Sequence, residues 1–170
     1  MNFRRIQIHE VWILAEIGRL TFMESHGHSA SQDDIDTYLE KAFDRISIEK
    51  EVSDAQNQFY FIEKDNGIVG YLKFRINKPH HFVPENNSCK LERLYILKQY
   101  TNSGIGTQAL WFVTEQAKQY AQSKIYLYVW IENSPAIQFY KKMGFQIAGK
   151  EDFKISETHS NPNNILVLNI

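Results

Sequence analysis

Residues 91–110 read LERLYILKQYTNSGIGTQAL, and this stretch decides the fold. Leu91 to Leu97 alternates and is rich in β-formers, which predicts a strand. Tyr100-Thr101-Asn102-Ser103 is turn chemistry. From there the apolar residues Ile105, Ala109, Phe112, Val113, Ala117 and Tyr120 fall at helical spacing. A helix that opens on Gly104 and Gly106 leaves its first backbone N–H groups free, with the positive end of the helix dipole behind them. Such an end suits a phosphate or pyrophosphate, and a Cβ at either glycine would hold the anion off the backbone. Thr101, Asn102, Ser103, Gly104, Ile105, Gly106 and Thr107 therefore form a candidate anion cradle.

Outward from this stretch, the chain reads as one α/β domain over residues 1–170. Phe3 to Ile8 alternates as an edge strand, and Val11 to Met23 is loosely helical before Glu24 to Ser29 breaks the pattern. Ser31-Gln32-Asp33-Asp34 resembles a capping box, and Ile35, Tyr38, Leu39, Ala42 and Phe43 give the following helix an apolar face. Ser47 to Ala55 predicts a third helix. Phe59 to Ile62 is apolar on both faces, and Asn66-Gly67 signals a hairpin into Ile68 to Ile76. Lys78 to Ser88 is a loop. Ile125 to Ile131 is another two-sided strand, and Pro135 suits the first position of the next helix. Phe145 to Lys150 and Ile165 to Leu168 complete the strands, with Ser156 to Asn164 as the polar segment between them.

Composition narrows the function classes. Hydrophobic residues make up 43% and aromatics 14%, which places the chain among folded globular proteins. Net charge is −1 and no basic stripe runs along any element, so nucleic acid is not an expected partner. No apolar run reaches membrane-spanning length. Cys89 is the single cysteine, which excludes an internal disulfide and suits a reducing cytoplasm. His26-Gly27-His28 and His80-His81 raise the question of a metal, but no third ligand has compatible spacing, so solvated loop histidines and no metal are expected. Glu92 alternates with Leu94 and Ile96, and burial beside them would raise its pKa and make it a better base. Pairing with Lys90 or Arg93 is the structural alternative. Tyr140 shares a helical face with Ala136, Phe139 and Met143 and should point inward.

Phosphate cradles serve more than one chemistry. Gly104 to Ala109 fits the dinucleotide pattern G-x-G-x-x-A, with Glu132 near the place of a ribose-binding acid. Against it, the six residues Lys98 to Ser103 are too many for that fingerprint's tight turn, and repeated βαβ units are missing. The stretch more closely resembles the acetyl-coenzyme A loop of the GCN5-related N-acetyltransferases (GNAT), Q/R-x-x-G-x-G/A after a strand, here Thr101-Asn102-Ser103-Gly104-Ile105-Gly106. Thr101 stands where Gln or Arg is usual. A second segment, Asn133-Ser134-Pro135-Ala136-Ile137-Gln138-Phe139-Tyr140-Lys141-Lys142-Met143-Gly144-Phe145, resembles that family's N-x-x-A-x-x-x-Y-x-x-x-G-F. The order of helices and strands agrees with that family's fold, so the resemblance covers nearly the whole chain.

The resemblance implies a mixed, mostly antiparallel sheet flanked by helices, with acetyl-coenzyme A as cosubstrate. It implies direct acetyl transfer to a primary amine in a ternary complex. Glu92 would be the general base and Tyr140 the general acid. Leu94, Tyr95 and Ile96 would bond the pantetheine arm through their backbone, joined by Asn133 and Tyr140. SASQDDIDTYLEKAF at 29–43 and QFYFIEKDNGIVGYLKF at 58–74 also resemble the bacterial spermidine/spermine acetyltransferases. That points to a polyamine acceptor bound by Asp33, Asp34 and Glu92, with Asp36 and Glu40 nearby. Other small amines, a protein N-terminus, or an acyl-coenzyme A-binding domain without catalysis are the alternatives. A cytoplasmic protein without nucleic-acid or membrane partners, assembled as a homodimer, is the expected setting.

Overall fold

The computed structural model describes residues 1–170 as a seven-stranded sheet with helices on both faces. The strands are β1 (Asn2–Arg5), β2 (Asn57–Lys64), β3 (Gly67–Arg75), β4 (Ser88–Ile96), β5 (Lys124–Trp130), β6 (Gln146–Lys154) and β7 (Ser160–Asn169). Their spatial order is β1-β2-β3-β4-β5-β7-β6. Every pairing is antiparallel except β4 with β5. The helices are α1 (Val11–His26), α2 (Gln32–Ala42), α3 (Arg45–Ser53), α4 (Ile105–Gln119) and α5 (Ser134–Lys142).

Each face of the sheet carries its own core. Ile105, Ala109, Leu110, Val113 and Ala117 of α4 pack with Ile62, Leu72, Leu91, Leu127 and Val129, and α5 leans on the same cluster. On the other face α1, α2 and α3 contribute Leu14, Phe22, Ile35 and Ile48 against Phe59, Phe61 and Tyr71. Strand β2 thus buries Tyr60 and Ile62 on one face and Phe59 and Phe61 on the other, as its unbroken apolar run predicts. The β2–β3 hairpin forms where expected, but the left-handed residues of its turn are Asp65 and Asn66, with φ of 51° and 64°. Asn66-Gly67 is therefore shifted by one position from the central pair.

Two predicted boundaries move further. Helix α1 continues through Glu24 to His26, because Met23 accepts a capping bond from Gly27 and no proline interrupts the turn. The polar segment Ser156 to Asn164 is mostly strand. Ser160 to Val167 pair with β6 on one side, and Asn163 to Asn169 pair with β5 on the other. Asn161, Asn163 and Asn164 are buried there; β6 pairs with all three, and β5 pairs with the last two on the other edge. Strand pairing overrides their low β-propensity.

The feature that positions the site lies at the centre of the sheet. Strands β4 and β5 pair over only Ser88–Lys90 with Lys124–Tyr126 and then part. Opposite β3, Lys73 pairs with Arg93 while Phe74 pairs with Leu91, so Glu92 is the extra residue of a β-bulge. A bulge bends its strand and increases the local twist, which turns β4 away from β5.

Candidate active site

The divergence opens a cleft of about 700 Å³ that passes between β4 and β5. At one end lies the loop before α4. Gly104 has φ of +80° and caps the helix, and Asn102 is also left-handed at +59°. Gln108 is the first residue of the helix whose N–H is bonded, to the Gly104 carbonyl. The backbone N–H groups from Asn102 to Thr107 accordingly find no partner within the protein. Six free donors at the positive end of a four-turn helix fit a pyrophosphate. Thr101, Asn102, Gly104, Gly106 and Thr107 line the cleft. Ser103 instead turns its hydroxyl back to the Tyr100 carbonyl at 2.6 Å, and the Ile105 side chain is buried in the core, so these two offer only backbone.

Beyond the bulge, β4 has no partner on its β5 side, so the backbone groups on that edge from Arg93 to Ile96 are free to receive an added extended chain. Leu94, Tyr95 and Ile96 all border the cleft. Asn133 caps α5 by accepting from the Ala136 N–H at 3.2 Å and faces the same space. Tyr140 borders it too, wedged edge-to-face between Phe139 and Phe145 with centroids at 5.1 and 5.4 Å. Burial raises its pKa well above the usual phenol range, which keeps it protonated, and its hydroxyl bonds no protein group.

The bulge overturns the expected environment of Glu92. Leu91 and Leu94 face the α4 core, but Glu92 and Arg93 both lie toward the opposite face. Glu92 therefore does not share a face with Leu94 and Ile96. Its carboxylate meets the Lys73 ammonium at 2.5 Å and the Lys90 ammonium at 3.8 Å. Burial pushes its pKa up, but Lys73, Lys90 and Arg93 outweigh burial and hold it below the usual carboxylate range. It is a fixed anion and not the elevated base its spacing suggested. Cys89 is fully buried, and burial followed by the Glu92 charge pushes its thiol up to about 12, so it is an inert core thiol.

The side of the cleft toward α1 and α2 is walled by aromatic residues that sequence spacing did not bring together. Phe22 stacks on Tyr38 at 4.5 Å and on His26 at 5.0 Å. His26 also meets Tyr95 and Trp130 at 6.0 and 6.4 Å. It is not a solvated loop residue: desolvation pulls its pKa down to about 4, and its Nδ1 is buried without a partner. His28 stays exposed. The signal for His26 was available, since it extends the α1 face of Leu14, Ile17 and Phe22. Asp33 and Asp34 do not border the cleft. They lie in the first turn of α2, where Ser31 is the cap and exchanges hydrogen bonds with Asp34, and the exposed Asp36 accepts from Gln32. Glu92 is the one carboxylate among the charged lining residues, beside Lys90, Arg93 and Lys142.

A third partner does reach the His80-His81 pair. Strand β6 brings Glu151 to 2.9 Å from His80 Nε2 and 3.7 Å from His81 Nδ1, and Tyr128 bonds both His80 and Glu151. All three ligand atoms lie within 4.8 Å, a closeness created by strand order and hidden from spacing. No helix is long and apolar enough to cross a membrane.

Comparison with known proteins agrees with this geometry. An uncharacterised N-acetyltransferase of Lactobacillus delbrueckii subsp. lactis is 30% identical over 128 residues, covering 75% of this chain and 74% of that protein. A spermine/spermidine N(1)-acetyltransferase of Bacillus subtilis is 28% identical over 90 residues, covering 52% of this chain and 59% of its own length. The fold matches a PaiA N-acetyltransferase of Thermoplasma acidophilum solved with coenzyme A, with TM-score 0.79 and 21% identity, over 99% of this chain and 98% of that one. The profile of the Acetyltransferase (GNAT) family matches residues 20–145. With this cradle, the open β4 edge and Tyr140 in one cleft, the chain belongs to the GNAT family and is an acetyl-coenzyme A-dependent N-acetyltransferase.

Proposed function

We propose that acetyl passes directly to a primary amine inside this cleft, with acetyl-coenzyme A and acceptor bound together. One observation carries the reading: a single passage holds the anion cradle, the unpaired β4 edge, Tyr140 and Glu92. The residues fit the cosubstrate, since free N–H groups from Asn102 to Thr107 match a pyrophosphate and the β4 edge matches a pantetheine arm. Acetyl-coenzyme A supplies a thioester whose C–S bond breaks as the N–C bond to the acceptor forms. Tyr140 then gives its proton to the departing sulfur. Glu92 attracts the acceptor ammonium and takes its surplus proton through water on the way to solvent.

Because Lys73 and Lys90 keep Glu92 ionised, it does not titrate near neutrality. The rise of kcat/KM with pH then belongs to the acceptor amine. Glu92→Gln should lower kcat/KM by ~10²-fold or more while the rising limb keeps its position. A limb displaced by the substitution would make Glu92 the titrating base and reverse this assignment.

A polyamine acceptor is the finer expectation from sequence. Its support is the similarity to spermine and spermidine acetyltransferases of Bacillus subtilis. The acids assigned to it, Asp33 and Asp34, stand outside the cleft. Coenzyme A release across a panel of amines tests both levels: turnover of any primary amine supports acetyl transfer, and preference for spermidine supports the polyamine.

A further inference from the structure

We infer that His80, His81 and Glu151 form a binding site for one divalent transition-metal ion, zinc by preference, outside the acetyl-transfer cleft. None of the three borders that cleft. Neighbouring residues of an extended chain point to opposite faces, so adjacent histidines meet one group only where the backbone turns. Here it does. His80 and Val83 exchange both backbone hydrogen bonds, at 2.9 and 2.8 Å, and the tight turn brings the two imidazoles to 4.3 Å between ring centroids. Phe82 of this turn packs on β6 so closely that a Cβ at Gly149 would come within 2.4 Å of its ring. That contact sets the turn against the strand that carries Glu151.

Oε2 of Glu151 stands 2.9 Å from His80 Nε2 and 3.7 Å from His81 Nδ1. A tetrahedral zinc with bonds of ~2.0–2.1 Å holds its ligand atoms about 3.4 Å apart, between these two values. All three ligand atoms lie within 4.8 Å of one another, and the remaining closure falls to the exposed His81 ring. A salt bridge alone does not account for the arrangement. One hydrogen bond joins Oε2 to His80, while His81 reaches the same oxygen beyond bonding distance and bonds no other group. Tyr128 donates to the other oxygen, Oε1, at 3.0 Å and so turns Oε2 toward the histidines, as the outer partner of a metal ligand does. A metal on His80 Nε2 moves that ring's proton to Nδ1. The bond that Nδ1 accepts from the Phe82 N–H is then given up, and at 3.3 Å it is the longest in the cluster. Two imidazoles and a carboxylate suit zinc, cobalt or nickel and not the hard ions magnesium or calcium, and water completes the fourth position. The ion would tie the loop before β4 to β6, joining residues 71 positions apart.

Calorimetric titration of zinc chloride into untagged, chelator-treated protein tests this, with the visible absorption of added cobalt as a second readout. One ion per chain is expected, with a cobalt spectrum of tetrahedral intensity and a melting temperature that rises with zinc. Magnesium and calcium should give neither heat nor shift. His81→Ala and Glu151→Gln should each weaken zinc binding by ~10²-fold or more, and Tyr128→Phe by ~10–100-fold through the lost orientation of Glu151. The His81 side chain is exposed, so its alanine variant has no packing reason to unfold. His28→Ala, which alters the other histidine pair, should bind zinc as the wild type does. Absence of zinc binding overturns the inference. Binding that survives both His81→Ala and Glu151→Gln, or that is lost in His28→Ala, overturns it too, since it would mark zinc held adventitiously by other histidines.

Discussion

Tyr140→Phe should lower kcat by ~10²–10⁴-fold, the usual cost of losing a general acid, with little change in cofactor affinity. The structure separates this effect from destabilisation. The Tyr140 hydroxyl bonds no protein group, while its ring fills the space between Phe139 and Phe145. Phenylalanine keeps the ring and leaves no buried donor unpaired, so the melting temperature should stay unchanged. The pH dependence carries a second signature. A phenol with a raised pKa remains protonated across the working range, so Tyr140 contributes no falling limb near neutrality. Steady-state and single-turnover kinetics together check the result. An unchanged kcat with chemistry rate-limiting returns Tyr140 to a packing role.

Gly104→Val should raise the KM for acetyl-coenzyme A by about 5–30-fold. Gly104 holds φ of +80°, a conformation that costs an L-residue roughly 1–2 kcal/mol, and each 1.4 kcal/mol is tenfold in binding. A Cβ there meets no protein atom within 4 Å, so the fold has no steric reason to fail. The strain relaxes by rotating the loop and turning its N–H groups away from a common centre. Gly106→Val acts differently: its Cβ would stand 3.4 Å from the Phe139 ring and narrow the passage itself. Calorimetry with coenzyme A measures both, and affinity unchanged in Gly104→Val would move the pyrophosphate away from this loop.

The cradle was legible because its chemistry is local. A strand, a turn and a glycine-opened helix follow one another within residues 91–110, and each rests on backbone preference. Asn133 and Tyr140 were legible for the same reason, one as a cap and one on a helical face. Glu92 was misread because alternation assumes a regular strand, and one inserted residue reverses every face that follows. Asp33 and Asp34 looked like a cation site, while their local task at the start of α2 accounts for them. His26 lay beyond an assumed helix end, and only the continued turn buries it. Glu151 joins His80 through a strand order that no spacing encodes.

The parting of β4 from β5 also divides the molecule mechanically. Residues up to Ile96 build a contiguous four-stranded half, and residues after Lys124 build a three-stranded half. Across the seam the backbone ladder spans only Ser88–Lys90 and Lys124–Tyr126, with α4 bracing one side. Within the halves, β2 with β3, β3 with β4 and β6 with β7 pair neighbours in the chain, which favours early folding of these hairpins and late closure of the seam. A cosubstrate laid along the open β4 edge would act as a missing strand between them. At a hundredfold excess over its Kd it would add about 2.7 kcal/mol to the stability of the whole chain. Amide exchange would then slow first at the seam, so the substrate that the enzyme consumes also serves, while bound, as a brace for its own sheet.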